Sequence, residues 1–168
     1  MLPMKIIDNF LPEEDYDSLI YHIVGCRQFP WNYNWYVTSQ EDEKDDRNNW
    51  YLTNLVYATD PVHIKPEYDP IYQYVISHIK MDKLLRVKAN MYPSTEKIFE
   101  HAPHMDYDYP VKGAIISLNT CDGFTRLEDG TKVDSVANRM LFFNSSAPHN
   151  SSTTTNVQTR INININYL

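Results

Sequence analysis

Apolar side chains in the first half of the chain follow the spacing of two amphipathic helices. Between residues 16 and 24 they recur three and four positions apart, which predicts a helix with one buried stripe. The stripe consists of Tyr16, Leu19, Ile20, Ile23 and Val24. Pro12 suits the first turn of this helix, and Gly25 can end it. A second helix is predicted over residues 70–79, after Asp69, whose side chain can cap it.

Strand patterns dominate the rest of the sequence. Aromatic segments at 31–36 and 50–57 predict strands that flank the charged segment 41–47, which predicts a solvated loop. From residue 84 onward, short apolar runs alternate with turn sequences such as Asp-Gly. The other predicted strands are residues 5–10, 84–92, 111–119, 124–128, 139–144 and 159–167. Helices followed by many short strands predict an α+β fold, mainly β, built on an antiparallel barrel or sandwich.

The last predicted strand has one apolar and one polar face. Because successive side chains of a strand point to opposite sides, its isoleucines share one face and its arginine and asparagines share the other. The apolar set is Ile161, Ile163 and Ile165, and the polar set is Arg160, Asn162, Asn164 and Asn166. The strand at 84–92 has the same polarity, with Lys88, Asn90 and Tyr92 on its polar side. The helices can cover the apolar faces, so we expect the polar faces to line a ligand site.

Composition restricts the class of protein. A length of 168 residues suits one domain with a substantial core, and we assign residues 1–168 to a single domain. The sequence has neither the ~18-residue apolar run of a membrane span nor a basic-then-apolar leader, which favours a cytoplasmic protein without a membrane partner. Two cysteines are too few for a disulfide framework. A net charge of −7 argues against a large phosphate-binding surface, so nucleic acid is not an expected partner.

Three residues could hold a metal ion. In an extended segment, His104 and Asp106 project to the same side, so an imidazole and a carboxylate can converge on one ion. His149 follows a predicted buried strand and could add a second imidazole, which completes the ligand set of non-haem Fe(II) oxygenases. A surface His-Asp pair and a hydrogen-bonded turn histidine would give the same pattern. Arg160 could bind a carboxylate bidentately or form a surface salt bridge.

The order of these motifs is similar to that of a known enzyme family. His-x-Asp, a later His and then an Arg in a final strand resemble the Fe(II)/2-oxoglutarate-dependent oxygenases, and look most like their small prolyl-4-hydroxylase-like members, including those of bacteriophages. The matching stretches are residues 4–12 (MKIIDNFLP), 86–92 (RVKANMY), 117–119 (SLN), 122–130 (DGFTRLEDG), 138–149 (NRMLFFNSSAPH) and 160–163 (RINI). A phage-encoded member would act in the host cytoplasm.

The resemblance implies a fold and a reaction. The implied fold is a double-stranded β-helix, or jelly roll, with the N-terminal helices packed on the outer face of the major sheet. Residues 1–83 would form the supporting helices and strands, and residues 84–168 the barrel core. The implied reaction hydroxylates a substrate while 2-oxoglutarate is decarboxylated to succinate and CO₂, with ascorbate as an optional reductant.

The resemblance also implies roles for individual residues. His104, Asp106 and His149 would bind Fe(II). Arg160 would hold the distal carboxylate of 2-oxoglutarate, and Tyr92 and Asn90 would contact the same cosubstrate from the facing strand.

Three positions complicate this assignment. Ser117 lies near the position where the family often has a tyrosine, so part of the cosubstrate contact set is unassigned. His101 is a rival metal ligand, but its distance from His104 in sequence places it on the opposite face of a strand. Asp108 is in phase with Asp106 but a further ~7 Å along an extended chain, which suits a substrate contact or a solvated acid.

Two other functions remain alternatives. Segments 90–92 and 160–162 also resemble the cosubstrate strands of AlkB-type nucleic-acid demethylases, although Asn166 stands where such enzymes would have a second arginine. A cupin-like barrel that binds a metal or ligand without catalysis is the other alternative. The substrate of an oxygenase would be a peptidyl proline or a small molecule. Its candidate rim is the segment 93–103 with four aromatic residues that could instead be sheet packing: Trp31, Tyr33, Trp35 and Tyr36.

Overall fold

Two antiparallel sheets form the framework of the computed structural model, which describes residues 4–38 and 48–168. The strands are β1 (Lys5–Ile7), β2 (Asn32–Asn34), β3 (Tyr51–Thr59), β4 (Val62–Ile64), β5 (Leu84–Pro93), β6 (Lys112–Ser117), β7 (Phe124–Leu127), β8 (Lys132–Asp134), β9 (Arg139–Asn144), β10 (His149–Ser151) and β11 (Thr159–Tyr167). The larger sheet has the order β1-β9-β6-β11-β5-β3-β2, with β4 also paired to β3, and the smaller has the order β10-β7-β8. The mainly β fold with two short helices agrees with the predicted class and is consistent with a jelly roll. The predicted loop at 41–47 lies outside the described residues.

The first helix matches the predicted segment, but its last turn is π-helical and not α-helical. Helix α1 (Glu13–Ile20) continues into a π-helical turn, Tyr21–Gly25, in which the Cys26 amide donates to the Tyr21 carbonyl at 2.7 Å. Leu19 and Ile23 are buried as predicted, but Val24 is 45% exposed, so its place in the buried stripe is wrong. The wider turn rotates this residue out of the helical register on which the prediction rested.

The second helix begins earlier than predicted. Helix α2 (Tyr68–Tyr74) is followed by a 3₁₀ turn, Ile76–His78, so Asp69 lies inside the helix and does not cap it. Ile71 and Val75 are fully buried, as their spacing indicates. No helix in the described part of the chain is long and apolar enough to cross a membrane.

The main core lies between the helices and one face of the larger sheet. It joins Leu19 and Ile71 of the helices to alternate residues of the central strands, among them Ile163. A smaller cluster, Ile115, Val133, Leu141 and Phe143, connects the two sheets through Val133 of β8. Because side chains alternate along a strand, the helices cover the apolar side of β11 and its polar side faces the smaller sheet. The register of β11 on β5 aligns these polar residues in pairs: Arg160 with Tyr92, Asn162 with Asn90, Asn164 with Lys88 and Asn166 with Arg86.

Candidate active site

His104, Asp106 and His149 come together, with one ligand atom of each within 4.8 Å of the other two. The backbone sets this proximity. His104 and His149 form an isolated antiparallel bridge in which each amide donates to the other's carbonyl at 2.9 Å, and their ring centroids are 4.6 Å apart. The Asp106 amide donates to the Ser145 carbonyl at 2.9 Å, which holds the carboxylate beside the two rings.

Asp106 is held by three side chains from β5 and β11. Arg86 Nη2 lies 2.6 Å from Asp106 Oδ1, while Asn164 Nδ2 and Asn166 Nδ2 donate to Oδ2 at 3.2 and 2.9 Å. Burial acts to raise the pKa of Asp106, but the charges of Arg86 and His149 and the hydrogen bonds from Asn166 and Arg86 lower it to about 2. The carboxylate is therefore ionised and oriented at neutral pH, as a metal ligand must be.

The two imidazoles present ring nitrogens to the carboxylate. His149 Nδ1 lies 3.0 Å from the Ala147 carbonyl, and since a carbonyl can only accept, Nδ1 carries a proton. His149 Nε2 and His104 Nε2 lie 3.9 and 3.8 Å from the oxygens of Asp106. Burial, followed by the charge of His149, lowers the pKa of His104 to about 4 against the opposing effect of Asp106, so this ring is neutral at pH 7.

A polar cavity of about 180 Å³ opens beside this cluster. The residues that line it are Val37, Tyr51, Arg86, Lys88, Asn90, Tyr92, His104, Met105, Asp106 and Asn164. Within it, Lys88 Nζ donates to the Tyr51 hydroxyl at 2.7 Å. Burial and the charge of Arg86 lower the pKa of Lys88 to about 8, although Asp106 acts to raise it, so the ammonium is mostly charged at neutral pH.

Arg160 lies beyond the cavity wall, behind Tyr92. Its guanidinium carbon is 5.4 Å from the centre of the Tyr92 ring, Nη1 donates to the Ser152 carbonyl at 3.2 Å, and Nη2 donates to the Thr125 hydroxyl at 2.9 Å. The side chain is 1% exposed, and in the described ranges it forms no ion pair. Burial lowers the pKa of Arg160, but a guanidinium keeps its charge at neutral pH.

Close contacts around Arg160 explain why residue 123 is a glycine. A Cβ at Gly123 would lie 2.7 Å from Arg160 Cδ and 2.7 Å from the Thr153 carbonyl oxygen. Only a residue without a side chain leaves the guanidinium stem enough space.

The other residues singled out from the sequence lie away from the cluster. His101 is buried, and its Nδ1 lies 3.0 Å from the Ser151 carbonyl, so it is outside the His104 group, whereas Asp108 is exposed and does not line the cavity. Asn90 lines the cavity and donates to Asn162 Oδ1 at 3.0 Å. None of the four aromatic rim candidates lines the cavity: Trp31 packs on the core, and Tyr33, Trp35 and Tyr36 are exposed.

Sequence reasoning placed Asn164, Asn166 and Lys88 on the polar faces without a role for each, and it gave no role to Arg86 or Tyr51. Arg86, Asn164 and Asn166 bind Asp106, and Lys88 with Tyr51 forms a second polar wall of the cavity. The alternation in β5 and β11 indicates the shared polar face, but only the pairing of the two strands identifies the partners.

Solved structures with the same architecture include prolyl hydroxylases and non-heme α-ketoglutarate-dependent enzymes. A prolyl hydroxylase from Trichoplax adhaerens, in complex with a peptide fragment of the hypoxia-inducible factor oxygen degradation domain, superimposes with a TM-score of 0.68 at 17% identity, covering 98% of this chain and 83% of that one. A Pseudomonas putida prolyl-4-hydroxylase superimposes with a TM-score of 0.59 at 14% identity, covering 98% of this chain and 91% of that one. The non-heme α-ketoglutarate-dependent epimerase SnoN of nogalamycin biosynthesis superimposes with a TM-score of 0.63 at 12% identity, covering 98% of this chain and 77% of that one. The chain shares their fold. No family model and no curated protein sequence matches it.

Proposed function

We propose that the protein is an Fe(II)- and 2-oxoglutarate-dependent dioxygenase that hydroxylates a peptide or small-molecule substrate. The observation that carries this proposal is the convergence of His104, Asp106 and His149 beside a polar cavity. The likeness to prolyl hydroxylases and other 2-oxoglutarate-dependent enzymes supports the same class. The proposal includes a single domain over residues 1–168 arranged as a double-stranded β-helix.

The donor set fits Fe(II). Two imidazoles and one carboxylate are the ligand type of non-haem iron oxygenases, which keep other coordination positions for cosubstrate and oxygen. In this proposal His104, Asp106 and His149 hold the iron. Bound iron would supply the activation of oxygen that hydroxylation requires.

The chain's own residues would orient the reactants and exclude water. Arg86, Asn164 and Asn166 fix the carboxylate of Asp106, and the Ala147 carbonyl fixes the tautomer of His149. The ligand atoms of the three residues lie within 4.8 Å of one another, close enough to share one ion.

Arg160 is the proposed partner for the distal carboxylate of 2-oxoglutarate. A buried guanidinium whose hydrogen-bond partners within the described residues are neutral retains capacity for an anion. Tyr92 connects it to the cavity, and Asn90 lines the same wall. We propose that these two residues also contact the cosubstrate.

Anaerobic titration of Fe(II)-loaded protein with 2-oxoglutarate tests the proposal. A chelated complex gives a weak visible charge-transfer band, which we expect in the wild type. Iron binding without this band would favour a cupin-like binding barrel, and failure to bind any metal would contradict the site.

His104→Ala should abolish iron-dependent conversion of 2-oxoglutarate to succinate, because two protein ligands hold the metal poorly. The matched control is His78→Ala, which removes an imidazole that pairs with Asp15 outside the site. Succinate formation measures turnover, and circular dichroism verifies the fold of both variants. Retained turnover in His104→Ala would refute the ligand assignment.

A further inference from the structure

Lys88 is a cation in the cavity with a neutral partner. Its ammonium donates to the Tyr51 hydroxyl at 2.7 Å and lies 4.9 Å from the centre of that ring. The neighbouring Arg86 instead pairs with Asp106. Within residues 4–38 and 48–168, no carboxylate forms an ion pair with Lys88.

Charge balance in the proposed enzyme leaves Lys88 without a counter-charge. Arg160 would face the distal carboxylate of 2-oxoglutarate, the second carboxylate of the cosubstrate would offset only part of the charge of Fe(II), and Arg86 is already paired with Asp106. A partly buried charge is costly unless a partner compensates it, so a cation kept beside a catalytic cluster indicates an anion that arrives with a ligand.

The position of Lys88 separates this anion from the distal carboxylate of the cosubstrate. On β5, Lys88 pairs with Asn164, which contacts Asp106, whereas Tyr92 pairs with Arg160. Four residues of extended chain place the backbone of Lys88 about 13 Å from that of Tyr92. The backbone of Lys88 therefore lies at the level of the metal ligands, while its ammonium reaches Tyr51 on β3, whose ring stacks on that of Tyr92 with 5.6 Å between the ring centres.

The geometry points to a substrate carboxylate as the ligand of Lys88. We propose that Lys88, oriented by Tyr51, binds this carboxylate, so that the enzyme hydroxylates a small organic acid and not a peptidyl proline, whose carbonyl is part of an amide. This inference rests on the proposed function.

The donors and the size of the cavity agree with such a substrate. An ammonium has three N–H donors, of which one is used by the Tyr51 hydroxyl and two remain for carboxylate oxygens. The cavity of about 180 Å³ is polar and smaller than the roughly 300–1,000 Å³ of typical drug-sized ligand sites, which suits a compact polar group.

A pair of probes that differ in charge and not in shape tests the inference. Cyclopentanecarboxylate and cyclopentanecarboxamide are titrated into protein loaded with Zn(II), which replaces Fe(II) and prevents turnover, and with saturating 2-oxoglutarate. Amide shifts in NMR spectra give the dissociation constants. We expect the carboxylate to bind about tenfold or more tightly than the amide, with shifts at Lys88 and Tyr51.

Substitutions identify the source of the preference. Lys88→Met should remove the preference for the carboxylate, Lys88→Arg should retain part of it, and Tyr51→Phe should reduce it. The control is Lys132→Met, which removes a lysine whose side chain is 48% exposed and should leave the preference unchanged. Thermal unfolding verifies that each variant folds. If Lys88→Met does not fold, Tyr51→Phe and Lys88→Arg still test the inference.

Each contrary result has a distinct meaning. If wild-type protein does not bind Zn(II) or 2-oxoglutarate, the proposed function fails. If both bind normally but the carboxylate has no advantage, does not bind, or keeps its advantage in Lys88→Met, this inference alone is wrong. If Lys88→Met instead weakens 2-oxoglutarate and the probe competes with it, Lys88 binds the cosubstrate and the inference is overturned.

Discussion

The two faces of β11 are stabilised in different ways. On one face, Ile161, Ile163 and Ile165 are buried in a cluster to which the helices and four other strands contribute. On the other face, each polar side chain has one or two named partners, such as Asn166 with Asp106 and Arg86. The apolar face gains its energy from many small contacts, and the polar face from a few directional ones.

This difference predicts that substitutions on the two faces have separable effects. A change on the apolar face should lower stability and leave ligand affinities nearly intact in the protein that remains folded. A change on the polar face should lower an affinity, with an effect on stability that depends on which partner is left unsatisfied.

Ile163→Ala should have the largest effect on stability. The side chain is fully buried, and its loss leaves a cavity, so we expect the free energy of unfolding to fall by about 3–4 kcal/mol. Urea denaturation followed by circular dichroism measures the change. Val62→Ala, at an apolar position that is 80% exposed, is the control and should change stability by no more than about 0.5 kcal/mol. Equal losses would contradict the comparison.

Arg160→Met should lower the affinity for 2-oxoglutarate without lowering stability, the opposite of Ile163→Ala. Removing a buried guanidinium without an acidic partner should leave stability unchanged or raise it, since desolvation of the charge is no longer required. The concentration of 2-oxoglutarate needed for half-saturation should rise by one to three orders of magnitude, roughly the effect of losing a buried charge-assisted pair. Titration of the anaerobic iron complex measures it. An unchanged requirement would place the distal carboxylate elsewhere.

Asn166→Ala and Asn164→Ala should have smaller and unequal effects. Asn166 is fully buried, donates to Asp106 and accepts from Arg86 Nε at 2.9 Å. Its loss should therefore lower the free energy of unfolding by about 2 kcal/mol. Asn164 is less buried and makes one hydrogen bond of 3.2 Å, so its loss should lower the free energy of unfolding by about 1 kcal/mol. Because both act through Asp106, Zn(II) affinity should fall, by about 10–100-fold for Asn166. Unaltered Zn(II) affinity in both variants would mean that the asparagines serve the fold alone.

Alternation and local spacing explain why much of the fold was predictable. The period of two in residues 159–167 identifies both faces of β11, and the His-x-Asp spacing identifies two members of the cluster. Both signals depend only on neighbouring residues in the chain. The helix at the N-terminus was predicted for the same reason, up to the π-helical turn that moves Val24.

The remaining features depend on contacts that neighbouring residues do not encode. Arg86 meets Asp106 because β5 pairs with β11 in one register, and Tyr51 meets Lys88 because β3 pairs with β5. The Asp-Gly pair at residues 122–123 has the sequence of a turn, yet the space beside Gly123 is taken by Arg160 from a distant strand. Short strands such as Val62–Ile64 have too few residues to show a period.

If the proposed site binds iron, the bridge between His104 and His149 couples metal supply to protein stability. The two imidazoles are distant in sequence and meet only when this pairing has formed, so the unfolded chain has no equivalent three-ligand site. An ion that binds the native state alone stabilises it by mass action, by about 2.7 kcal/mol when the free ion is at 100 times its dissociation constant. The folded population, and with it resistance to proteolysis, would then increase with the concentration of available iron.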